Sequence, residues 1–514
     1  MGRASDGRLW SRRDVFRLVA AGAGGAAVVI AVLSLLGHER VTVSANVVVT
    51  RGGPIDASNS PTVVRNPRHP HNLVVVHRTD RPGFSAGLQW SNDSGRTWQR
   101  SALPLPVEVP PCAGSIGGER CPFAPDVAFG PDGALYVLYV NLEGSGNIPA
   151  NLWLATSADG GRSLSPPARV AGRLTFQPRV VVDPAGTVHI TWLQANDVGL
   201  LRLVGSPNPV VAVHSSDRGK TFSSPARVSD PHRERVGAAT PVVDSRGELV
   251  VLYQDFKGDR RDFENLEGPV WPEPFALVVS RSSDGGRTFS PGVELESGVV
   301  PTRRFVVFLP EFPSVAAGPE GTLYVAWTDG RNGDEDILLR RSSDGGRTWA
   351  MPVRVNRNRR EDGTSQYLPR VDVAPDGRVD VVFLDRRRDR QDVMTDAFVA
   401  SSHDGARSFE NVRISSTSFD SRVGPAIGAQ FGVDFGSRLG LASATEAPTV
   451  AVWTDTRFGT EDTGRQDILA ARIEVADEPN AFPRLLLVAG LLVVGLATLV
   501  RRRRAAARGG YPPY

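Results

Sequence analysis

Short runs of apolar and β-branched residues alternate with turns rich in Gly, Pro and Asp along most of the chain. In one example, the runs 176–182 and 187–194 are separated by the turn Asp183-Pro184-Ala185-Gly186. Runs of this length between such turns predict short strands joined by tight hairpins. The composition agrees, because 53 Gly and 39 Pro among 514 residues suit a turn-rich chain. The pattern therefore predicts an all-β protein.

One short motif recurs between the two ends of the chain, with the form Ser-x-Asp-x-Gly-x-Thr-aromatic. Four copies match it fully and two match it in part. The aspartates of the six copies are Asp93, Asp159, Asp217, Asp284, Asp344 and Asp404. Differences between these positions give separations of 66, 58, 67, 60 and 60 residues. Near-periodic copies of one pattern indicate a repeated structural unit.

The motif is typical of a β-hairpin turn. Its Asp can accept hydrogen bonds from backbone amides, its Gly can adopt a positive φ, and its aromatic ring can pack on the sheet. The copies resemble the Asp boxes of the sialidase and BNR-repeat superfamily, and the resemblance spans residues 46–476. It implies a β-propeller in which each box joins the two outer strands of a blade. In that superfamily the boxes lie on the face opposite the catalytic site.

The number of blades follows from the units around each motif. A seventh unit without a box follows the sixth copy, with strands predicted at 439–443, 449–453 and 467–475. Three strands leave an open sheet edge, which proteins avoid. The β-rich segment 42–50 is therefore predicted to close this blade as its fourth strand. We predict seven blades, with six as the alternative because the catalytic sialidases have six.

Charge is distributed unevenly along the chain. Residues 1–40 hold six Arg and three acids, and residues 483–514 hold six Arg and no acid, so the ends carry +3 and +6. The whole chain carries +3, which leaves 3 − 9 = −6 for residues 41–482. An acidic middle argues against a nucleic-acid partner, because phosphates require a basic surface.

The first 45 residues are predicted to direct export. Arg12 and Arg13 precede an apolar run at 18–37, an order that resembles a twin-arginine signal. An Arg pair before a general export signal, or an uncleaved signal anchor, are the alternatives. Cleavage before Asn46 is one outcome, and retention of the run as a membrane helix is the other.

The last part of the chain is predicted to anchor it in a membrane. Residues 485–500 are uninterrupted apolar residues after a linker at 477–484, and 501–504 are four Arg. Positive residues favour the cytoplasmic side, which places the tail 501–514 inside and the propeller outside the cell membrane. A buried C-terminal helix is the alternative.

Only two cysteines occur, Cys112 and Cys121, in a segment rich in Pro and Gly. Two cysteines cannot form a structural zinc site by themselves, and their spacing suits a disulfide that closes one loop. An oxidised pair agrees with a location outside the cell.

The loops opposite the boxes are predicted to form the functional face. They are the longest and most polar of the chain, at 103–122, 256–275, 296–310, 357–367 and 416–436. Long loops on one face of a rigid scaffold commonly bind ligands, although simple solvated connections are the alternative.

The best candidate residues differ between blades at one equivalent position, just after the Pro that opens each innermost strand. These residues are Asp126, Arg179, Val242, Ser314 and Arg370, with Glu311 and Tyr367 just upstream of the last two. Sialidases hold the sugar carboxylate with arginines and use a Tyr activated by a Glu as nucleophile and an Asp as acid/base. The resemblance implies these catalytic roles for Arg179, Arg370, Tyr367, Glu311 and Asp126.

Two features weaken a catalytic interpretation. No Arg-Ile-Pro stretch of the active sialidases is present, and Arg65 is predicted to lie on the box face instead. Acids that recur after second strands, as in Asp329-Gly330-Arg331, Asp385-Arg386-Arg387 and Asp455-Thr456-Arg457, are predicted to be structural because a catalytic acid must be unique in the ring.

Three functional hypotheses follow. The favoured one is a non-catalytic, membrane-anchored propeller that binds an extracellular glycan or protein. The alternatives are an exo-α-sialidase and a scaffold for envelope assembly. No metal site, phosphate loop or cofactor site is predicted.

Overall fold

The structure is a computed structural model of the 514-residue chain. It describes the residues 41–111, 120–144, 147–199, 202–204, 207–258, 273–300, 312–428 and 432–475. Residues Val43–Glu474 form one compact unit. The predicted export signal 1–45 lies almost entirely outside the described residues, as do the linker 477–484, the apolar run 485–500 and the tail 501–514.

The fold is an all-β propeller of seven blades, as predicted. The first two strands are β1 (Val41–Val43) and β2 (Val47–Val48). Blade one contains β3 (Ser58–Arg65), β4 (Leu73–Thr79), β5 (Ser85–Ser91) and β6 (Gln99–Ser101). Blade two contains β7 (Pro122–Phe129), β8 (Leu135–Glu143), β9 (Ile148–Ser157) and β10 (Ala168–Ala171).

Blades three to five repeat this meander. Blade three contains β11 (Thr175–Val182), β12 (Val188–Gln194), the hairpin β13 (Asp197–Gly199) and β14 (Arg202–Val204), then β15 (Val210–Ser215) and β16 (Ala226–Arg227). Blade four contains β17 (Val236–Val243), β18 (Leu249–Asp255), β19 (Phe275–Ser282) and β20 (Val293–Val299). Blade five contains β21 (Ser314–Ala317), the 3₁₀ turn Pro319–Gly321, β22 (Leu323–Asp329), β23 (Asp336–Ser342) and β24 (Val353–Arg354).

Blades six and seven complete the ring. Blade six contains β25 (Gln366–Val373), β26 (Val379–Asp385), β27 (Met394–Ser402), β28 (Glu410–Arg413) and the short β29 (Phe419–Asp420). The short hairpin β30 (Ala426–Gly428) and β31 (Gly432–Val433) follows. Blade seven contains β32 (Gly440–Ala442), β33 (Thr449–Asp455) and β34 (Asp467–Val475).

The N-terminal strand closes the last blade, as predicted for residues 42–50. Val47 and Val48 of β2 lie opposite Ala470 and Leu469 of β34 in an antiparallel pair. The amide of Val49 continues this pairing by donating to the carbonyl of Ile468 at 2.8 Å. The edge of β34 is therefore paired rather than exposed.

Apolar clusters join neighbouring blades. Val63 and Leu73 of blade one pack with Val450 and Ile468 of blade seven, and Val49 of the closing segment packs with them. Similar clusters join blades one and two, two and three, three and four, four and five, and five and six. The side chains alternate along each strand, so that one sheet face meets the preceding blade and the other face meets the following blade.

The predicted motif turns form the hairpins between third and fourth strands. In blade three, Ser215 Oγ and the Thr221 amide donate to Asp217 Oδ1 at 2.7 and 2.9 Å, and Gly219 adopts a φ of +80°. Hydrogen bonds from Thr221 and Ser215 lower the pKa of Asp217 well below its usual range. Equivalent Ser and backbone contacts are made by Asp93, Asp159, Asp217, Asp284, Asp344 and Asp404.

The recurring Asp-x-Arg segments act as turn caps and ion pairs, as predicted. In blade five, the Asp329 carboxylate has no solvent exposure and accepts from the amide of Arg331 at 3.0 Å and from its guanidinium at 2.6 Å. The same two contacts occur between Asp385 and Arg387 and between Asp455 and Arg457. Repetition of one contact in three blades indicates a structural role.

A polar network lies where blade six meets blade seven. Asp380 and Arg378 are buried, and the Arg378 guanidinium donates to the Asp380 carboxylate at 2.9–3.1 Å. The same guanidinium reaches blade seven, donating to the Ala444 carbonyl at 3.0 Å and to Thr449 Oγ1 at 2.9 Å. Ser443 of blade seven donates to Asp380 at 2.8 Å. One buried ion pair therefore ties two blades together.

Cys121 is described and is not a free thiol. Cys112 lies outside the described residues, so the predicted bridge between the two cysteines stays a prediction. No helix in the described ranges is long and apolar enough to cross a membrane.

A buried histidine gives the propeller a specific pH dependence. Burial lowers the pKa of His77 to about 4, below its ordinary value of 6.5. The unfolded chain therefore takes up this proton first, and the free energy of unfolding is expected to fall as the pH drops from about 6.5 towards 4. His77→Gln should flatten this part of the profile in denaturant titrations, whereas His69→Gln, at an exposed turn, should not. Identical slopes for the wild type and His77→Gln would contradict the prediction.

Candidate functional site

A cavity of about 510 Å³ runs along the axis of the ring. The innermost strands β3, β7, β11, β17, β21, β25 and β32 all contribute to its wall. The innermost strands start at the face opposite the boxes. This follows because the amide of Ser94, in the box of blade one, donates to the carbonyl of His71, in the turn that follows the end of β3. The part of the cavity wall that belongs to the strand starts therefore lies on the side of the predicted functional face.

A β-bulge shapes the start of five innermost strands. The register shifts in β3, β7, β11, β17 and β25, and each shift contains a residue with positive φ, namely Ser60, Ala124, Gln177, Ala238 and Leu368. Bulges re-aim side chains, and non-glycine residues rarely adopt a positive φ. Two residues after each of these positions, a side chain lines the cavity.

We call the resulting set the channel ring. It consists of the equivalent residues after the five bulges, with Ser314 and Arg438 from blades five and seven on the same cavity wall. The members are Thr62, Asp126, Arg179, Thr240, Ser314, Arg370 and Arg438. Three arginines and one carboxylate give the ring a net charge of +2, while the other three members supply hydroxyls.

Asp126 and Arg179 pair with each other in the ring. Both are buried, and Arg179 Nη1 donates to Asp126 Oδ1 at 3.4 Å. The amide of Val180 donates to Asp126 Oδ2 at 3.0 Å, and the Arg179 guanidinium lies 4.1 Å from the ring centre of Phe312. Burial raises the pKa of Asp126, although the charge of Arg438 and the hydrogen bond from the Val180 amide oppose the shift. This pair is held in a fixed position.

Arg438 is also committed to the protein. Its guanidinium donates to the carbonyls of Ser60, at 3.1 Å, and of Pro125. Burial lowers the pKa of Arg438 to about 10, while Asp126 raises it. A value of about 10 leaves the group charged at neutral pH. Arg438 therefore adds positive charge to the channel ring while it links blades seven, one and two.

Arg370 differs from the other two arginines. It lines the cavity on β25. In the described part of the chain its guanidinium makes no hydrogen bond and no ion pair, and its positive charge acts on the carboxyls of Asp126 and Asp372. A guanidinium offers five N–H donors in a planar fork. Arg370 thus presents free donors to the cavity.

The structure brings three of the five predicted catalytic residues together, since Asp126, Arg179 and Arg370 line one cavity. Tyr367 lies elsewhere: it is fully buried, and its hydroxyl contacts Thr395 Oγ1 at 2.9 Å and Ser421 Oγ at 3.0 Å. Glu311 lies outside the described residues.

The residue predicted for blade four at this equivalent position is wrong. The sequence places Val242 in the equivalent slot by counting from Pro241, but the bulge lies at Ala238 and puts Thr240 there. Thr240 lies opposite Leu252 just as Arg370 lies opposite Val382. The sequence also missed Arg438, because Gly436-Ser437 replaces the Pro that marks other innermost strands.

The other end of the cavity lies on the box face, where Arg65 was expected. Arg65 donates to the carbonyls of Pro70, Ala442 and Pro448, the last at 2.6 Å. Arg65 therefore stabilises the turns that follow the innermost strands of blades one and seven, and it does not contact a ligand on the opposite face. Among the described residues, no cluster of His, Cys, Asp and Glu could hold a metal ion.

Comparisons with known proteins find no family for this chain and only distant structural similarity. No protein-family model matches the chain, and no curated protein matches its sequence. The chain is similar to a protein of unknown function from Dyadobacter fermentans, at 13% identity and a TM-score of 0.46, over 85% of this chain and 99% of that one.

Two solved glycosidases are also similar to the chain. An α-L-arabinanase from Penicillium chrysogenum has 15% identity and a TM-score of 0.42, over 71% of this chain and 96% of that one. A Hadza microbial sialidase has 19% identity and a TM-score of 0.42, over 64% of each chain. Similarities this low do not assign a substrate, so the ligand has to be inferred from the side chains of the site.

Proposed function

We propose that this chain is a non-catalytic propeller that binds the acidic sugar of an extracellular glycan in its channel ring. The observation that carries the proposal is the free guanidinium of Arg370 on the wall of the 510 Å³ cavity. Buried or half-buried polar groups normally have hydrogen-bond partners, so a guanidinium with unpaired N–H donors in a cavity indicates that a ligand binds there. A carboxylate or sulfate ester accepts such a fork in two parallel hydrogen bonds.

The surrounding charges favour an anion. Arg179 and Arg438 add two positive charges, and Asp126 neutralises one of them through its contact with Arg179. Thr62, Thr240 and Ser314 place hydroxyls around the same cavity. These groups suit the hydroxyls of a sugar, while the net charge of +2 selects for its acidic substituent.

A binding role agrees better with the placement of Tyr367 than catalysis does. A sialidase-type mechanism requires a nucleophile at the sugar ring, and the hydroxyl of Tyr367 is engaged by Thr395 and Ser421 away from the cavity. All five described tyrosines are at most 4% exposed. Within the described part of the cavity wall, the acid Asp126 therefore has no tyrosine partner.

An exo-α-sialidase remains the second candidate because of Asp126. Burial raises the pKa of this carboxyl, which is a property of general acids. In that case Asp126 would protonate the leaving oxygen while the arginines hold the carboxylate. The two candidates differ in one observable, the release of a leaving group.

Family membership and location are parts of the same proposal. The six hydrogen-bonded motif turns support placing the chain in the Asp-box superfamily. The apolar run 485–500 and the four Arg that follow support a single C-terminal anchor, with the propeller outside the cell. An export signal in 1–45 and a bridge between Cys112 and Cys121 complete this arrangement. An envelope scaffold would instead rely on the anchor and need no ligand in the channel.

The test combines binding and turnover on the full-length protein. We expect retention on an array of sialylated, uronic and sulfated glycans, with no retention on the matched neutral glycans. We also expect no release of the fluorophore from a fluorogenic α-sialoside. Release that disappears in Arg370→Ala would replace the binding proposal by the exo-sialidase, and absence of both binding and release would contradict any glycan role for the channel ring.

A further inference from the structure

A second cavity lies beside blade one, away from the channel. It has a volume of about 520 Å³ and lies between the outer strands of blade one and the segment 49–56. None of its described lining residues lines the axial channel. We call it the lateral cavity. Its volume would hold one sugar residue with some water.

The floor of the lateral cavity contains two buried polar side chains that interact with each other, His77 and Gln89. His77 is 4% exposed, and its Nδ1 lies 3.2 Å from the carbonyl oxygen of Arg78 and 3.5 Å from Thr79 Oγ1. The Thr79 hydroxyl can donate to Nδ1, so that Nε2 carries the proton and faces the side-chain oxygen of Gln89. This pair closes the floor of the cavity.

An unused donor lies in the same wall. Trp98 belongs to the motif turn of blade one and lines the lateral cavity, and its Nε1–H is buried without a partner. The equivalent Trp349 of blade five donates its Nε1–H to the Gly346 carbonyl at 3.2 Å. Trp98 therefore lacks a contact that the same fold position makes in another blade. Unmade hydrogen bonds of buried groups are costly unless a ligand or water supplies them.

The rim of the lateral cavity is basic. Arg51 and Arg100 line it and are exposed, and neither guanidinium makes an ion pair or hydrogen bond within the described ranges. The acid on this rim, Asp56, accepts from the amide of Gly53 at 2.9 Å. Phe84, which is 39% exposed, adds an apolar surface of the kind on which sugar C–H groups pack.

We propose that the lateral cavity is a second ligand site, which takes a small polyhydroxylated acid such as a hexuronate. A ligand oxygen accepts from Trp98 Nε1–H, and the carboxylate pairs with Arg51 or Arg100 at the rim. The chemistry differs from that of the channel ring, where arginine provides most of the donors. The proposal does not depend on the channel being occupied.

The test is calorimetric titration of the full-length protein with sodium D-glucuronate. We expect saturable binding of glucuronate, about tenfold weaker binding of neutral D-glucose, and no competition by sodium sulfate. Trp98→Phe and Arg100→Gln are each expected to weaken glucuronate binding about tenfold. Arg370→Ala, which changes only the channel, should weaken the binding of glucuronate to the channel ring and leave its binding to the lateral cavity unchanged.

Two further measurements keep folding and binding apart. Without ligand, Trp98→Phe should melt close to the wild type, because it keeps an aromatic ring and removes an unpaired buried donor. Arg100→Gln changes an exposed residue and should not affect folding. The proposal is overturned if glucuronate does not bind, if both variants bind it as the wild type does, or if Arg370→Ala abolishes the binding. The first two results would mean that the lateral cavity holds ordered water only.

Discussion

Arg370→Ala is expected to weaken binding of an acidic glycan by about 10- to 100-fold. Hydrogen bonds from a charged donor contribute about 1.5–3 kcal/mol, and each 1.4 kcal/mol corresponds to a factor of ten in affinity. Arg370→Lys retains the charge but loses the planar fork, so an intermediate affinity is expected. Surface plasmon resonance measures the affinities of both variants. The immobilised ligand is a sialylated or uronic glycan that binds the wild type in the array experiment.

A matched control separates the site from general charge. Arg218 lies on the box face, where its side chain is 71% exposed and pairs with Asp132 at 2.8 Å. Arg218→Ala removes the same charge and should leave the affinity unchanged. The melting temperature of Arg370→Ala should also stay close to that of the wild type, since this guanidinium makes no hydrogen bond or ion pair within the described ranges. Equal affinities of Arg370→Ala and the wild type would remove the channel ring as the binding site.

Arg378→Met is expected to lower the free energy of unfolding by about 3–5 kcal/mol. The substitution leaves the carboxylate of Asp380 buried without its cation, with hydroxyl donors from Ser401 and Ser443. It also removes the donors to Ala444 and Thr449 in blade seven. Guanidinium denaturation followed by tryptophan fluorescence measures the loss.

The double variant tests whether the unpaired charge is the cause. Arg378→Met with Asp380→Leu removes both charges and should recover most of the lost stability, because apolar residues of similar volume can replace a buried ion pair. Arg218→Met, at an exposed ion pair, should cost about 0–1 kcal/mol. A double variant as unstable as Arg378→Met would show that the contacts to blade seven, and not the charge on Asp380, carry the effect.

The fold could be predicted because each blade repeats the same local signals. Apolar runs, inner turns and Asp motifs are short-range features, and their periodic recurrence gives the blade count. The pairing of 42–50 with the last strand is long-range, yet it follows from the missing fourth strand of blade seven. Val47 and Val48 make that pairing. The unpaired edge of blade seven and the β-rich segment 42–50 together predict a contact between the two ends of the propeller sequence.

The site could be predicted only in part, because side-chain direction at the strand starts depends on the bulges. Ala238 adopts a positive φ without being Gly, so the sequence gives no sign of the shift that places Thr240 in the channel. Tyr367 precedes the bulge of β25 and lies on the other side of the strand from Arg370, toward Thr395. Arg179 and Arg370 were found because Pro precedes both, and Arg438 was missed because Pro is absent there.

The pairing of β2 with β34 also has a consequence for biosynthesis. Val48 leaves the ribosome 421 residues before its partner Leu469, which is the difference between the two positions. At about 5–20 residues per second, the first strand waits roughly 20–80 s for the last one. During this interval the growing chain carries an unpaired strand at each end of its partial ring. The final blade can only assemble once translation is nearly complete, so a nascent-chain experiment should find blades one to six protected before residues 41–50 are.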